Sequence, residues 1–236
     1  MKTRTELRYL FGWVAFALLL LSPVLLRMSE LLTEGWGAMP SVHAQLVTNV
    51  VISLCIFLLP ALFLPSGREA LRAVIRPLPP RYRRAGYLLR ILALVAVTIL
   101  SSNLLYDVIV KLSKLLGSPV QDQVEEVVVG MIRQGSVSFG ALFLALALVP
   151  ALVEEIFFRG LLQPLLMRSY PGQRWEVFLF TALIFSLLHF SPAGFLSRLV
   201  LGLMLSYLAY DSRGLRIPIL MHLINNTLAI LSLYTS

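Results

Sequence analysis

Apolar runs of about 15 to 29 residues, separated by short charged or Pro/Gly-bearing stretches, repeat along the whole chain. They lie near Tyr9 to Leu26, Ala44 to Leu64, Tyr87 to Tyr106, Phe139 to Met167, Glu176 to Phe190, Phe195 to Tyr210 and Ile217 to Leu233. A hydrocarbon core of about 30 Å takes roughly 20 helical residues to cross. The pattern therefore predicts an all-α, polytopic transmembrane helical bundle of about seven spans, or eight, the long fourth run being one span or a span with a short kinked extension. One segment differs. Between Pro119 and Gly135, Val120, Val124, Val127, Val128 and Met131 recur at helical spacing with Gln121, Asp122, Glu125 and Glu126 opposite. That is an amphipathic helix at the outer interface, packed on the bundle or gating an entrance.

Composition agrees: 236 residues, 58% hydrophobic, 14% charged, mean hydropathy +0.84. A soluble domain is far less apolar. The net charge of +8 bears on orientation rather than on nucleic acid, because it is unevenly placed. Lys2, Arg4 and Arg8 precede the first run, seven arginines lie from Arg68 to Arg90, and Arg168, Arg174, Arg213 and Arg216 fall in later alternate loops. The other loops are acidic or nearly neutral, with Glu30 and Glu34 after Arg27, and Asp107, Asp122, Glu125 and Glu126 against Lys111, Lys114 and Arg133. Seven spans with a cytoplasmic N-terminus satisfy the positive-inside rule at every loop. The first run is long for a signal-peptide core and reads as a retained anchor. The connector Arg76 to Arg84 offers arginines to anionic headgroups. Cys55, the only cysteine, excludes an intramolecular disulfide.

Against this background the sequence Val149-Pro150-Ala151-Leu152-Val153-Glu154-Glu155-Ile156-Phe157-Phe158-Arg159-Gly160 stands out. Charges at membrane depth cost several kcal/mol, so those that occur usually face a protein-lined cavity and carry function. Residues i and i+4 share a helix face, so Glu155 meets Arg159 in an ion pair while Glu154 points elsewhere. Pro150 offers no N–H to the carbonyl of residue 146, so the helix kinks or opens there. Of three histidines, His189 and His222 lie in later spans, Asn226 shares the face of His222, and His43 sits in a polar loop. At 1.5 Å of rise per residue, Glu154 and His189 both lie roughly 21 to 22 Å from the basic loops, whereas Asn226 lies roughly 15 Å and His222 roughly 9 Å deep.

A carboxylate and an imidazole meeting in a wet cavity can take a proton from water and aim the resulting nucleophile. A second histidine and an asparagine can donate hydrogen bonds to an oxyanion. Two versions of such amide hydrolysis are open: one with protein groups alone, and one with Glu154, His189 and His222 as ligands of a divalent metal such as zinc. Neither histidine is followed by glutamate, so a His-Glu-x-x-His zinc site is absent. Tyr106-Asp107 and Tyr210-Asp211 fall at span ends and lack a Gly-x-Gly-Asp partner, and no serine in a Gly-flanked turn stands near a deep histidine. A proton-coupled carrier is the other use of such groups, but carriers commonly show two related halves and no repeat is visible.

Glu154-Glu155-x-x-x-Arg159, Phe185-x-x-x-His189 and His222-x-x-x-Asn226, in that order, resemble the three motifs of the CPBP family of intramembrane proteases, also called the CAAX protease and bacteriocin-processing (Abi) family. The resemblance covers about Phe139 to Leu233. It implies one membrane domain over 1–236, with N-terminal spans and the outer amphipathic segment in 1–137 and a catalytic core in 138–236. It further implies Glu154 as general base, His189 positioning water, His222 and Asn226 stabilising the oxyanion, and Glu155 with Arg159 bracing the helix. The expected partners are membrane lipids and a peptide or protein substrate, with no nucleic acid. The expected location is a bacterial plasma membrane. A non-catalytic scaffold or bacteriocin self-immunity protein of the same family is the alternative.

Overall fold

Apolar helix formers without β-rich segments give a helical chain, and the computed structural model, which describes residues 2–23, 42–120, 123–133 and 135–234, has no strand among them. Helix α1 (Lys2–Phe16) continues through a π turn, Ala17–Leu21. Helix α2 runs from Val42–Ser53 through the π turn Leu54–Leu58 into Leu59–Phe63. A short amphipathic helix, α3 (Gly67–Ile75), turns back under the bundle and buries Ala70 and Ala73. Then come α4 (Ala85–Leu115) and α5 (Gln123–Arg133). Helix α6 is composite: Phe139–Leu142, the π segment Phe143–Leu148, Val149–Glu155, a second π segment Ile156–Leu162, and Gln163–Ser169. Helices α7 (Arg174–Leu187), α8 (Phe195–Ser212) and α9 (Arg216–Leu233) complete the bundle.

Four helices are long and apolar enough to cross a membrane by length and composition: Ala44–Phe63 of α2, α4, Phe139–Ser169 of α6, and α9. Every other run expected to span is helical too, but shorter or more polar. Helix α7 has 14 residues, about 21 Å at 1.5 Å each, and ends before His189 instead of continuing to Phe190. The Ser186 hydroxyl donates to the Phe195 carbonyl at 2.6 Å, which stitches α7 to the start of α8 and turns the chain over Leu188 to Gly194. The first apolar run reaches beyond residue 23, and the acidic loop with Glu30 and Glu34 lies outside the described residues.

Helix α6 is the axis. Its Phe157, Phe158, Leu161, Leu162 and Leu165 are almost wholly buried in the largest core cluster, against α1, α2 and α3. Small residues let neighbours approach, as packing in lipid requires. A Cβ on Gly202 of α8 would lie 3.0 Å from the Ala182 Cβ of α7, and one on Gly160 would lie 3.0 Å from the Ala70 Cβ of α3. The amphipathic segment is helical as expected, with Val128 and Met131 buried and Glu126 exposed. Val128 packs in the cluster of Leu46, Leu142 and Ile230, so this helix lies on the bundle. Gln121 and Asp122 fall outside the described residues, as do the side chains of Val124, Glu125 and Val127. Helix α3 falls just before the Arg76 to Arg84 connector, between the second and third apolar runs, where no element was expected: nine residues are too few to register as a span.

Candidate active site

Two features open α6 where the charges sit. Pro150 has no N–H for the carbonyl four residues back, and the chain before it widens into the π segment Phe143–Leu148. The Leu146 carbonyl is taken instead by the Asn226 amide of α9, Nδ2 donating at 3.2 Å. Asn226 Oδ1 in turn accepts from Asn225 at 3.4 Å.

Beyond Pro150, Glu154 and Glu155 point different ways, as helical geometry requires. Glu155 Oε1 accepts from Arg159 Nη1 at 2.8 Å and is 2.9 Å from His222 Nδ1, with all three groups buried. Arg159 also donates to the Gly202 carbonyl at 3.0 Å, and Gln163, one turn on, donates to the Ser206 carbonyl at 3.1 Å. Donors four residues apart on α6 thus meet carbonyls four residues apart on α8. Gln163 was not singled out from the sequence, although its spacing from Arg159 puts both on one face.

Glu154, 7% exposed, faces the other way. Its Oε2 lies 3.8 Å from His189 Nε2 and has no hydrogen-bond partner among the described residues. His189 Nδ1 is 2.7 Å from the Phe185 carbonyl. A carbonyl can only accept, so Nδ1 carries a proton and, in the neutral ring, Nε2 presents its lone pair toward Glu154. Phe185 joins the two halves of the site. Its ring centroid lies 4.8 Å from that of His189 and 5.7 Å from that of His222, with the Arg159 guanidinium 4.6 Å away.

The structure therefore brings Glu154 to His189, and Glu155 to both Arg159 and His222, while Asn226 reaches across to α6. His222 touches the bracing carboxylate rather than Glu154. The rise along α9 alone makes His222 too shallow: it meets Glu155, about 20 Å in along α6 by the same rise, at 2.9 Å. His43 opens a helix, and its side chain is outside the described residues. Arg198 of α8, also not anticipated, lies within electrostatic reach of Glu154 and His189. Its guanidinium occupies the space that a side chain on Gly194 would fill. A lone arginine in a mostly apolar run gave no motif to find it by.

A divalent metal would need its donors gathered on one point. Among the described residues no three His, Cys, Asp or Glu side chains are so gathered, and His222 Nδ1 is turned to Glu155. The proposed ligand set Glu154, His189 and His222 does not fit a metal in this arrangement, and no chemical step is drawn through one.

Residues 136–228 match the family model described as Rce1-like, Type II CAAX prenyl endopeptidase Rce1-like. No curated protein and no solved structure matches the chain.

Proposed function

We propose, from the match of residues 136–228 to the Rce1-like model and from the helices able to cross a membrane, that the protein is an intramembrane endopeptidase working through a Glu154/His189-activated water. The observation that carries this reading is the 3.8 Å gap between Glu154 Oε2 and a His189 Nε2 whose tautomer is set by Phe185. A water between them can give one hydrogen to each acceptor and keep a lone pair for a substrate carbonyl.

Glu154 takes the water proton as the oxygen bonds to the scissile carbon, and the carbonyl electrons move onto oxygen. Asn226 Nδ2 has two hydrogens, one on the Leu146 carbonyl and one left for that oxyanion. His222, its Nδ1 held 2.9 Å from Glu155 Oε1, stands with Asn226 as the second group stabilising the oxyanion. The proton held by Glu154 then passes to the leaving nitrogen as the C–N bond breaks, releasing a carboxylate and an amine. Arg159 keeps Glu155 in place throughout.

In this reading the N-terminus is cytoplasmic, as the positive-inside pattern of the basic loops supports, the membrane is a bacterial plasma membrane crossed about seven times, and the N-terminal region over 1–137 supports a catalytic core over 138–236. The test is peptide profiling of membranes carrying wild-type protein, Glu154→Gln or His189→Ala. Products present only with the wild type support the reading; products unchanged in both variants overturn it.

A further inference from the structure

A second polar site lies at the arginine-rich end of the bundle, away from Glu154. The turn after α8 docks on the end of α3: Leu215 N–H donates to the Ala73 carbonyl at 2.9 Å, Arg216 to the Ile75 carbonyl at 2.6 Å, and Arg76 to the Arg213 carbonyl at 3.1 Å. Arg213 adopts φ +55°, a left-handed conformation that a long side chain rarely takes and that the surrounding contacts must hold. Between this turn, α3 and α6 lies a cavity of about 580 Å³.

Five arginines and two acids line it, and the acids are already spent. Glu69 pairs with Arg168. Asp211 pairs with Arg81 at 3.1 Å and accepts from the hydroxyls of Tyr82, at 2.7 Å, and Tyr87. Burial, reinforced by that bond to Asp211, pushes the Tyr82 phenol well above the usual tyrosine range, so the carboxylate stays hydrogen-bonded at neutral pH. Arg159 is held by Glu155. Arg76 and Arg213 remain, with no carboxylate partner among the described residues. The inner wall adds two buried polar side chains with unmet groups: Arg159, 3% exposed, whose Nε has no partner, and Gln163, 2% exposed, whose Oε1 has none.

We propose that this cavity binds a phosphate group and that its occupancy is felt at the active site through Arg159. Unpaired guanidinium groups around a headgroup-sized space suit a phosphate, which Arg meets with paired N–H donors. Basic pockets between helices at the cytoplasmic side are where anionic headgroups dock. The path inward is short. Arg159 lines the cavity, bonds Glu155 at 2.8 Å, and Glu155 contacts His222 at 2.9 Å. Only this coupling rests on the protease reading; the binding does not.

The experiment places wild type, Arg76→Gln/Arg213→Gln and Arg83→Gln/Arg84→Gln in phosphatidylcholine vesicles with or without phosphatidylglycerol. Retained lipid is read by native mass spectrometry after extraction, with inorganic phosphate as competitor. Arg83 and Arg84 are exposed on the same connector but do not line the cavity, so they report general surface charge. Wild type and Arg83→Gln/Arg84→Gln should retain phosphatidylglycerol, and Arg76→Gln/Arg213→Gln should lose about tenfold or more of it. Displacement by inorganic phosphate would identify a soluble phosphate compound as the ligand; resistance would identify the lipid. Equal retention by all three proteins, or equal loss in both double variants, overturns the binding. Cleavage that rises with the anion in wild type but not in Arg76→Gln/Arg213→Gln supports the coupling, and identical rates overturn it. If no cleavage depends on Glu154 in any vesicle, the protease reading falls while the lipid measurement still decides the binding.

Discussion

Helices α4 and α6 have the same length, 31 residues, and nearly the same apolar character, yet 17% of the most apolar window is buried in α4 and 56% in α6. Helix α4 shows Leu100 and Leu104 on its outside, 70% and 64% exposed. Its Thr98, Ser101 and Ser113 hydroxyls return to carbonyls of their own helix. Helix α6 sends Glu155, Arg159 and Gln163 to other helices. In lipid an outward leucine carries no penalty, so apolarity marks the membrane and leaves the inside unmarked. Buried polar groups that reach across helices mark it instead.

The sharpest way to break this contrast is at Glu154, whose buried carboxylate on α6 bonds to nothing described. Glu154→Gln keeps the shape and removes the base. Cleavage in reconstituted vesicles should fall roughly 10³-fold, within the range for loss of a general base, while thermal unfolding in detergent moves little. Retained cleavage would reduce Glu154 to packing and return α6 to the class of α4.

Arg159→Ala tests the bonded half. It leaves the Glu155 carboxylate buried against His222 alone, and breaking such a pair from one side typically costs about 3–5 kcal/mol. Arg159→Lys should recover only part, since a single ammonium cannot span both Glu155 and the Gly202 carbonyl as the fork does. Denaturant unfolding in micelles reads the difference. A loss below about 1 kcal/mol, the range for exposed pairs, would say that water reaches the pair.

The same contrast explains what could be read from the chain beforehand. Helix positions followed from apolar runs, and the Glu155–Arg159 pair from i, i+4 spacing, because both are local. The three motifs named the residues around the site, but not their contacts. His222 pairs with Glu155, and Asn226 with the Leu146 carbonyl, because of how α9 leans on α6, which no spacing within either helix encodes. Helix length was legible only roughly: α7 stops short of His189 because a hydroxyl of Ser186 meets the next helix. Gln163 and Arg198 carry no local pattern and emerge only from packing.

Asn226 and Pro150 offer a smaller and more specific effect. If Asn226 serves the carbonyl that Pro150 leaves without its helical donor, Asn226→Ala should cost about 1 kcal/mol in the native background. In a Pro150→Ala background the restored N–H takes over, and the same change should cost close to nothing. The expected coupling is the difference, roughly 1 kcal/mol, within the range of up to about 1.7 kcal/mol that such cycles give between membrane helices. Activity separates the second hydrogen of the amide: Asn226→Ala should still lower kcat when Pro150→Ala has restored stability. Recovery of both together would make Asn226 a clasp only.

The smallest effect belongs to α4. Leu104→Ala, at a position 64% exposed, should change stability by no more than about 0.5 kcal/mol, whereas Leu165→Ala in α6, fully buried, should cost about 2–5 kcal/mol. Both delete the same atoms from helices of the same length, so the ratio isolates packing from hydropathy. Unfolding in micelles gives both numbers on one scale. Should Leu104→Ala cost as much as Leu165→Ala, the outer face of α4 would have a protein neighbour in place of lipid. The contrast between the two helices would then belong to the isolated chain and not to the molecule in its membrane.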